Sequence, residues 1–152
     1  MKFPCGKWGR RQMIFHPAPS RAPYRPFAAM VFVWDGERTL LCQIPGRGWC
    51  IPSGRVEGTE TSEMAARREA LEEGGVIVDD LRYIGCYQIQ DRNGVLYAEA
   101  YTAKDAQYVD IPEESESCAR LLVDPEDLPC CYHLWDSLAE AVFDHARDVA
   151  FR

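Results

Sequence analysis

Apolar runs interrupted by turn-forming residues dominate the chain and predict a β-rich fold. Residues 28–34 and 39–44 are apolar and β-prone, and the Asp35-Gly36 pair between them is a strong hairpin signal. We expect these two runs to form antiparallel strands. Further runs have a strand-like composition: residues 76–78, 81–89, 95–103 and 119–123. Shorter extended pieces are expected at residues 49–52 and, as an edge strand, at residues 12–16.

Two other segments are expected to be helical. The first covers residues 62–74 and follows a loop at residues 53–59; the Gly74-Gly75 pair ends it, because glycine accepts the left-handed conformation that closes many helices. The second covers residues 134–147, and residues 124–128 are expected to form a turn or short helix. A mixed sheet with one helix midway and another near the end predicts an α/β fold of packed layers. The apolar face of the second helix is predicted to contain Leu134, Leu138, Ala141, Val142 and His145.

The first predicted helix has an unusual concentration of acidic residues. At about 100° per residue, Glu69, Glu72 and Glu73 fall on one face within about one turn of each other. Like charges at this spacing repel, so we expect a positive group between them. Carboxylate oxygens suit Mg²⁺ or Mn²⁺, which keep waters that substrate phosphates can replace. Such a cation would neutralise phosphate charge and activate a water for attack on phosphorus.

Residues 54–76 resemble the Nudix box. That pattern is Gly, five free positions, Glu, seven free positions, Arg-Glu, an aliphatic residue, one free position, Glu-Glu, one free position, Gly and an aliphatic residue. Seven fixed residues would coincide by chance on the order of once in 10⁸ start points. Ala70 and Val76 stand at the aliphatic positions, and all the fixed residues are present: Gly54, Glu60, Arg68, Glu69, Glu72, Glu73 and Gly75.

The resemblance implies the α/β/α sandwich of Nudix proteins, with a mixed β-sheet. It also implies a metal-dependent hydrolase that uses a metal-activated water to cleave a diphosphate linkage in a nucleoside diphosphate linked to another moiety. The alternative is a catalytically silent Nudix-fold module that senses or binds a nucleotide. Because such modules usually lose glutamates of the box and this chain retains them, the sequence favours the enzyme.

Roles for single residues also follow from the resemblance. The implied ligands of Mg²⁺ or Mn²⁺ are Glu69, Glu72 and Glu73, with the Gly54 carbonyl as a further one. Arg68 and Glu60 are expected to belong to the catalytic set as partners of these ligands. The fork of Arg68 could clamp a carboxylate and so hold the ligands in one rotamer. An ordinary surface ion pair is the alternative interpretation of Arg68.

The general base has several candidates. Glu72 and Glu69 are the local ones, and the remote ones lie on the segment before the last strand: Glu113, Glu114 and Glu116, with Glu114 and Glu116 preferred. These three could instead form a solvated acidic turn. Alternation along residues 95–101 puts Glu99 on one strand face with Tyr97 and Tyr101. That face could line the substrate pocket or meet solvent.

The substrate is not specified by the sequence, since no subfamily signature follows the box. Many relatives have an arginine where Gln43-Ile44 stands, and Arg47 or Arg55 could substitute for it in binding phosphate. A base could stack on an aromatic side chain. The aromatic candidates, each of which could equally be a core residue, are Trp49, Tyr87, Tyr97 and Tyr101.

Charge divides the chain into two parts. Residues 1–34 contain six basic residues and no acidic one, whereas every Asp and Glu lies from Asp35 onward. We expect a basic N-terminal arm over residues 1–26, which could itself be part of the domain, and a Nudix domain over residues 27–152. The favoured interpretation is that the arm packs against its own acidic body or against a second subunit in a homodimer. Nucleic acid binding is the less favoured one.

Composition excludes several classes of protein. The seven cysteines include no Cys-x-x-Cys spacing and the three histidines are scattered, which argues against a disulfide framework or a zinc module. No apolar run approaches the roughly 18 residues of a membrane span. The protein is therefore expected to be soluble and cytoplasmic, with no membrane partner. The cysteines expected in the core as small apolar residues are Cys42, Cys50, Cys86 and Cys118.

Overall fold

The computed structural model describes residues 2–152, in which a large mixed sheet is packed between helices. In chain order the elements are β1 (Gly6–Trp8), β2 (Arg11–Pro17), β3 (Ala28–Asp35), β4 (Arg38–Ile44), β5 (Gly48–Cys50), β6 (Ser53–Arg55), α1 (Ser62–Gly74), β7 (Val76–Ile77), β8 (Arg82–Asp91), β9 (Gly94–Lys104), β10 (Gln107–Tyr108), β11 (Ala119–Val123), a 3₁₀ turn (Pro125–Asp127), α2 (Leu128–Cys131) and α3 (Ser137–Ala150).

The main sheet has the strand order β1-β2-β8-β9-β3-β4-β11. Strand β3 runs parallel to β9, with Val31 opposite Tyr101, and the other pairings in this sheet are antiparallel. Two short strands extend it, because β5 pairs with β4 and β6 pairs with β3. The predicted mixed sheet and the β3–β4 hairpin are confirmed.

Both faces of the central strand β3 are apolar and buried, which explains its uninterrupted apolar sequence. Phe32 and Trp34 belong to the core under α3, while Val31 and Val33 belong to the core under α1. Three fully buried alanines of α1 allow that helix to lie close to the sheet: Ala65, Ala66 and Ala70. The resulting layers form the predicted α/β/α sandwich.

Helix α1 has the bounds that the sequence predicts, and local chemistry explains both of its ends. The Thr61 side chain accepts a hydrogen bond from the Met64 amide at 3.1 Å, which caps the first turn. Gly75 has a φ of 63° and its amide donates to the Leu71 carbonyl, so the helix closes in the left-handed conformation that glycine tolerates. The ends of α1 fix where its acidic side chains lie.

Helix α3 differs from the prediction at both ends. It begins at Ser137 because Asp136 is the cap, its Oδ1 accepting a hydrogen bond from the Ala139 amide at 2.8 Å. It continues to Ala150, and its buried residues are Leu138, Val142, Phe143, Ala146 and Ala150. Leu138 and Val142 are buried as predicted, whereas Ala141 and His145 are only half-buried. Residue 134 therefore belongs to the loop that precedes the helix.

Two smaller expectations are wrong. The segment after residue 52 does not start as a loop, since Ser53–Arg55 pairs with β3 as strand β6. Cys118 is exposed, because it precedes β11 and contacts Gln43 at the margin of the sheet. The other three cysteines expected in the core, Cys42, Cys50 and Cys86, are buried as predicted.

The basic N-terminal segment contributes two strands to the sheet. Strand β2 pairs with β1 on one side and with β8 on the other, so the strand expected near residues 12–16 is present but does not form the edge. Arg11 contacts Asp91 at 3.1 Å and Arg21 contacts Glu99 at 3.3 Å. The segment thus packs against acidic residues of its own chain, while a division at residue 26 stays a prediction.

Within residues 2–152, none of the helices has both the length and the apolar character needed to cross a bilayer.

Candidate functional site

Helix α1 and strand β6 lie side by side and bring two box glutamates into a buried position. Glu69 and Glu73 retain only 7% and 4% of their accessible surface. The Ser53 amide donates to Glu73 Oε1 at 2.9 Å. A Cβ atom added to Gly54 would lie 2.2 Å from Glu69 Oε1, so only glycine leaves room for that carboxylate. The glycine of the box is required here by space.

Arg68 links the other members of the box. Its Nε and Nη2 donate to the two carboxylate oxygens of Glu60 at 2.7 and 3.0 Å. Its Nη1 donates to Glu69 Oε1 at 2.7 Å and to Glu72 Oε2 at 3.2 Å. The planar guanidinium, with five donors in fixed directions, can satisfy three carboxylates at once. This contact set has the form expected for a clamp, while the functional roles of these side chains stay predictions.

Burial shapes the electrostatics of this acidic cluster, which we define as Glu69, Glu72 and Glu73. Burial raises the pKa of Glu73 to about 8, and it also raises the pKa of Glu69. Hydrogen bonds from Arg68 lower the pKa of Glu60. The carboxylates of Glu69 and Glu73 are therefore buried, and their hydrogen bonds do not fully offset the cost of burying their negative charge.

The cluster has the chemistry of a hard-cation site. Among residues 2–152, no three His, Cys, Asp or Glu side chains are already grouped as a set of metal ligands, and the Arg68 guanidinium bonds both Glu69 and Glu72. The available donors are all oxygens, which Mg²⁺ and Mn²⁺ prefer. Glu69 and Glu73 are buried and Gly54 lets the Glu69 carboxylate pack against β6, so a small divalent cation bound by these oxygens would offset their charge.

The remote glutamates lie apart from this cluster in the chain. Glu113, Glu114 and Glu116 are exposed in the loop between β10 and β11. Nothing in their surroundings tests a role as general base, and that role stays a prediction.

The expectation that Glu99 meets solvent is wrong, while a place beside the substrate stays a prediction. Its side chain neither lines the pocket described below nor meets solvent, because only 5% of its surface is exposed. It accepts hydrogen bonds from Ser62 Oγ at 2.6 Å, Arg21 Nη1 at 3.3 Å and the Ala22 amide at 3.2 Å. Glu99 therefore joins the start of α1 to the N-terminal segment.

A cavity of about 370 Å³ opens beside β6 on the α3 side of the sheet. Its aromatic wall includes Trp8 and Phe27, whose rings stack with centroids 6.1 Å apart, and Arg11 lies over Trp8 at 4.9 Å. Other apolar residues line the cavity, among them Met13, Met30, Ile51 and Ile89. Its polar residues are Arg47, Ser53, Arg55, His133 and Asp136. We call this cavity the aromatic pocket.

Only some of the residues that line this pocket are predicted from the sequence. Arg47 and Arg55, the expected phosphate-binding substitutes, line it, and of the four aromatic candidates only Tyr87 does so in the described part of the chain. Trp8 and Phe27 were not predicted to line a pocket. The only signal for them in the sequence is an aromatic residue near the start of a β-prone run, Trp8 before residues 12–16 and Phe27 before residues 28–34. Burial lowers the pKa of His133 to about 4, so this pocket residue is neutral at physiological pH.

The family model of the NUDIX domain matches residues 24–145. The chain belongs to this family. The match covers most of the chain and includes the whole box, the acidic cluster and most of the sheet. The resemblance inferred from the box alone is thus confirmed.

Several known proteins are similar to this Nudix chain. YtkD of Bacillus subtilis, provisionally assigned as an 8-oxo-dGTP diphosphatase, is 38% identical over 68 residues, which are 45% of this chain and 43% of that protein. The match therefore spans less than half the length of that curated relative. A variant of the Bacillus subtilis pyrophosphohydrolase BsRppH has a similar fold, with a TM-score of 0.76, 23% identity and coverage of 98% of this chain and 96% of that one.

A third similar structure is the NUDIX domain of Shewanella oneidensis NrtR in complex with ADP ribose. Its TM-score is 0.62 at 14% identity, with coverage of 84% of this chain and 90% of that domain. At these identities the structural likenesses establish the Nudix fold. In this Nudix chain, the acidic cluster and the aromatic pocket meet at Ser53 and Gly54 of β6.

Proposed function

We propose that this protein is a metal-dependent hydrolase that cleaves a diphosphate linkage in a nucleotide or nucleotide derivative. One observation carries the proposal: a buried acidic cluster adjoins an aromatic pocket across a single short strand, β6. A base held in the pocket would direct its phosphates toward the carboxylates. Both parts are needed, because the pocket offers no acidic cluster of its own and the cluster offers no apolar surface.

The acidic cluster would hold the cation. Glu69, Glu72, Glu73 and the Gly54 carbonyl are the proposed ligands of Mg²⁺ or Mn²⁺. When bound, such a cation neutralises phosphate charge and makes water acidic enough to attack phosphorus near neutral pH. Glu69 and Glu73 gain the most from it, since burial has already raised their pKa values.

Arg68 and Glu60 would hold the carboxylates of Glu69 and Glu72 in a fixed orientation. Arg68 bonds Glu60 through two nitrogens and reaches Glu69 and Glu72 with the third. Partners of this kind orient ligands and raise their effectiveness. Arg68 is therefore assigned an orienting role in the catalytic set, and Glu60 fixes Arg68.

Glu72 is the better placed of the two local candidates for general base. Its side chain is 47% exposed, whereas that of Glu69 is 10% exposed and bonds Arg68 at the shorter distance. An exposed carboxylate can accept a proton from water and release it to solvent. Glu114 and Glu116 are the alternatives, and a Glu72→Gln variant that retained full activity would favour them.

The aromatic pocket supports a nucleotide as the substrate. Trp8 and Phe27 line the pocket with aromatic surface that a base can contact, and Arg47 and Arg55 provide positive charge beside β6. The compound in the name of YtkD, 8-oxo-dGTP, and the ligand of the NrtR domain, ADP ribose, are both nucleotide compounds. We therefore propose a nucleoside diphosphate derivative, with 8-oxo-dGTP and ADP-ribose among the first compounds to test.

We propose a cytoplasmic location and a small-molecule substrate. All seven cysteines are free, as is usual in a reducing compartment. Three basic residues of the N-terminal segment are engaged within the chain, since Arg11, Arg21 and Arg25 contact Asp91, Glu99 and the loop before α1. This engagement argues against nucleic acid as a partner. A homodimer stays a prediction.

A substrate panel tests this proposal. Nucleoside triphosphates, 8-oxo-dGTP, ADP-ribose, NADH, dinucleoside polyphosphates and sugar nucleotides would be incubated with Mg²⁺ or with Mn²⁺ at mildly alkaline pH. We expect metal-dependent cleavage of one class by the wild-type protein and none by folded Glu73→Gln. Nucleotide and metal binding without turnover of any compound would instead favour a nucleotide-sensing module.

A further inference from the structure

The loop that leads into α1 depends on an anchor outside the box. Its residues Glu57, Gly58 and Thr59 are exposed, so they contribute little apolar packing of their own. The loop nevertheless carries Glu60, whose carboxylate must reach Arg68 through two hydrogen bonds. Inside the loop, the Glu57 amide donates to Glu60 Oε1 at 2.9 Å and the Glu60 amide donates to the Glu57 carbonyl at 2.8 Å.

Arg25 supplies that anchor from the N-terminal segment. Its Nη2 donates to the Gly58 carbonyl at 2.7 Å and its Nη1 to the Glu60 carbonyl at 3.1 Å. One guanidinium therefore holds two carbonyls on either side of Thr59. The two carbonyls belong to residues that follow Arg25 by 33 and 35 positions in the sequence, and Arg25 itself lies outside the box.

The backbone of Arg25 is itself fixed. On one side, the Tyr24 hydroxyl donates to the Val95 carbonyl and its ring packs edge-on against Tyr97 at 5.2 Å. On the other side, the Phe27 amide donates to the Tyr97 carbonyl at 2.9 Å, and the Phe27 carbonyl accepts from the Val56 amide at 2.9 Å. Pro23 and Pro26 restrict the same segment further. The position of Arg25 is thus imposed by β9.

We propose that Arg25 is a positioning residue for the acidic cluster. It fixes the loop carbonyls, the loop fixes Glu60, Glu60 fixes Arg68, and Arg68 orients Glu69 and Glu72. This role rests on the proposed hydrolase function. The basic N-terminal segment would then hold the loop before α1 through directed hydrogen bonds, in addition to providing positive charge.

The test compares Arg25→Ala, Arg25→Gln and Arg25→Lys with Arg10→Ala, a matched control in the turn of the β1–β2 hairpin. Three quantities are measured: steady-state hydrolysis, Mn²⁺ affinity by calorimetry, and hydrogen exchange of the Glu57 and Glu60 amides. In Arg25→Ala and Arg25→Gln we expect kcat to fall by about tenfold with an unchanged KM for the nucleotide, in the range known for partners of metal ligands. Mn²⁺ binding should weaken, and both amides should exchange faster.

The conservative variant separates a positioning role from a general loss of stability. Lysine keeps the charge, but its donors share one nitrogen and lack the fixed fork that reaches both carbonyls, so Arg25→Lys should lie between wild type and Arg25→Ala in all three measurements. Arg10→Ala should match the wild type. Equal kcat, Mn²⁺ affinity and amide exchange in wild type and Arg25→Ala would overturn the proposal, as would a raised KM with an unchanged kcat.

The readouts also separate this proposal from the function on which it rests. Failure of the proposed function would appear as absence of hydrolysis in the wild-type protein. Calorimetry and amide exchange would still decide the role of Arg25 in that case, since neither depends on turnover.

Discussion

Glu69 and Glu73 are carboxylates that the fold has removed from water without pairing them fully. Glu73 accepts one backbone hydrogen bond, from Ser53, and Glu69 shares Arg68 with two other acids. A purely structural helix would gain stability by replacing them with apolar residues, because a buried carboxylate costs free energy. Their presence is explained if a cation completes the cluster.

This burial predicts an unusual dependence of stability on pH in protein freed of metal by EDTA. The pKa of Glu73 is raised from its ordinary 4.5 to about 8. A group with a raised pKa stabilises the fold below its unfolded value, and that contribution is lost as pH rises through the folded value. We expect Glu73 to reduce the free energy of unfolding progressively between about pH 5 and pH 8.

Thermal or urea unfolding of wild type and Glu73→Gln across that interval measures the effect. The difference between the two proteins isolates Glu73, because His133 and the other titrating groups are common to both. The wild type should lose stability relative to Glu73→Gln as pH rises, and added Mg²⁺ should restore it only in the wild type. A difference in the free energy of unfolding that stays constant from pH 5 to pH 8 would contradict the raised pKa of the buried Glu73.

Gly54 supports a second prediction for a single residue. An alanine there would bring its Cβ to 2.2 Å from Glu69 Oε1, which forces the carboxylate or the strand to move. We expect Gly54→Ala to reduce kcat by at least about 100-fold, since small displacements of reacting groups are costly. Gly36→Ala is the control, because no atom lies within 4 Å of its added Cβ. It has a φ of 60° and should lose stability but keep activity.

At the scale of elements, the acidic cluster could be predicted and the pocket could not. The cluster lies on one helix, and its partners Arg68 and Glu60 also lie within residues 54–76, so the spacing is visible in the sequence. The Gly74-Gly75 pair marked the end of α1 in the sequence, and the structure adds Thr61 as the cap at its start. The pocket instead joins Trp8 to Asp136, residues that only the tertiary fold brings together. Strand β1, with three residues, is too short to show a pattern.

The same limit explains the errors for Glu99 and Cys118. Alternation along β9 correctly put Glu99 on one face with Tyr101, and both contact Ser62. It could not reveal that residues 21 and 22 cover that face, which turns an expected surface into a buried contact. Cys118 directly precedes a strand-like run in the sequence, yet its position before β11 leaves it exposed.

The β1–β2 hairpin supports a prediction about substrate binding. Trp8 stands against Phe27 and under Arg11, so its ring is held in place before any ligand arrives. Trp8 forms part of the aromatic wall of the pocket, and an aromatic contact to a base contributes about 1–3 kcal/mol, so Trp8→Ala should raise KM by roughly tenfold or more. We expect kcat to change little, since Trp8 lies away from the acidic cluster. Steady-state kinetics of Trp8→Ala and Trp8→Phe test this.

Trp8→Phe serves as the matched control, because it keeps an aromatic face and should recover most of the affinity. A fall in kcat with an unchanged KM in Trp8→Ala would contradict the assignment of this pocket to the base.

At the scale of the molecule, the parallel pairing of β3 with β9 organises the site. It places β3, and with it β6, at the centre of the sheet between the two helical layers. Helix α1 then covers one face beside Gly54, and the aromatic pocket opens on the other. The order of strands depends on long-range pairing that no local pattern encodes, whereas the layered α/β class followed from the order of elements alone.

The N-terminal segment is integrated into this architecture. It adds two strands, walls the pocket with Trp8 and Met13, and anchors the loop before α1 through Arg25. Its positive charge is directed at the acidic body of the same chain through Arg11 and Arg21. Basic and acidic residues that are far apart in the sequence are thus in contact in the fold.

Metal-dependent hydrolysis at the acidic cluster is tested by comparing glutamates of the same helix. Initial rates of diphosphate cleavage would be measured with Mg²⁺ and with EDTA for wild type, Glu69→Gln, Glu72→Gln, Glu73→Gln and Glu63→Gln. Glu63 lies in the first turn of α1, is exposed and pairs with Arg67, so it controls for loss of a helix charge. We expect metal-dependent activity that Glu63→Gln retains and that the folded cluster variants lose by about 100-fold or more. Activity that persists in EDTA, or that survives in all three cluster variants, would contradict it.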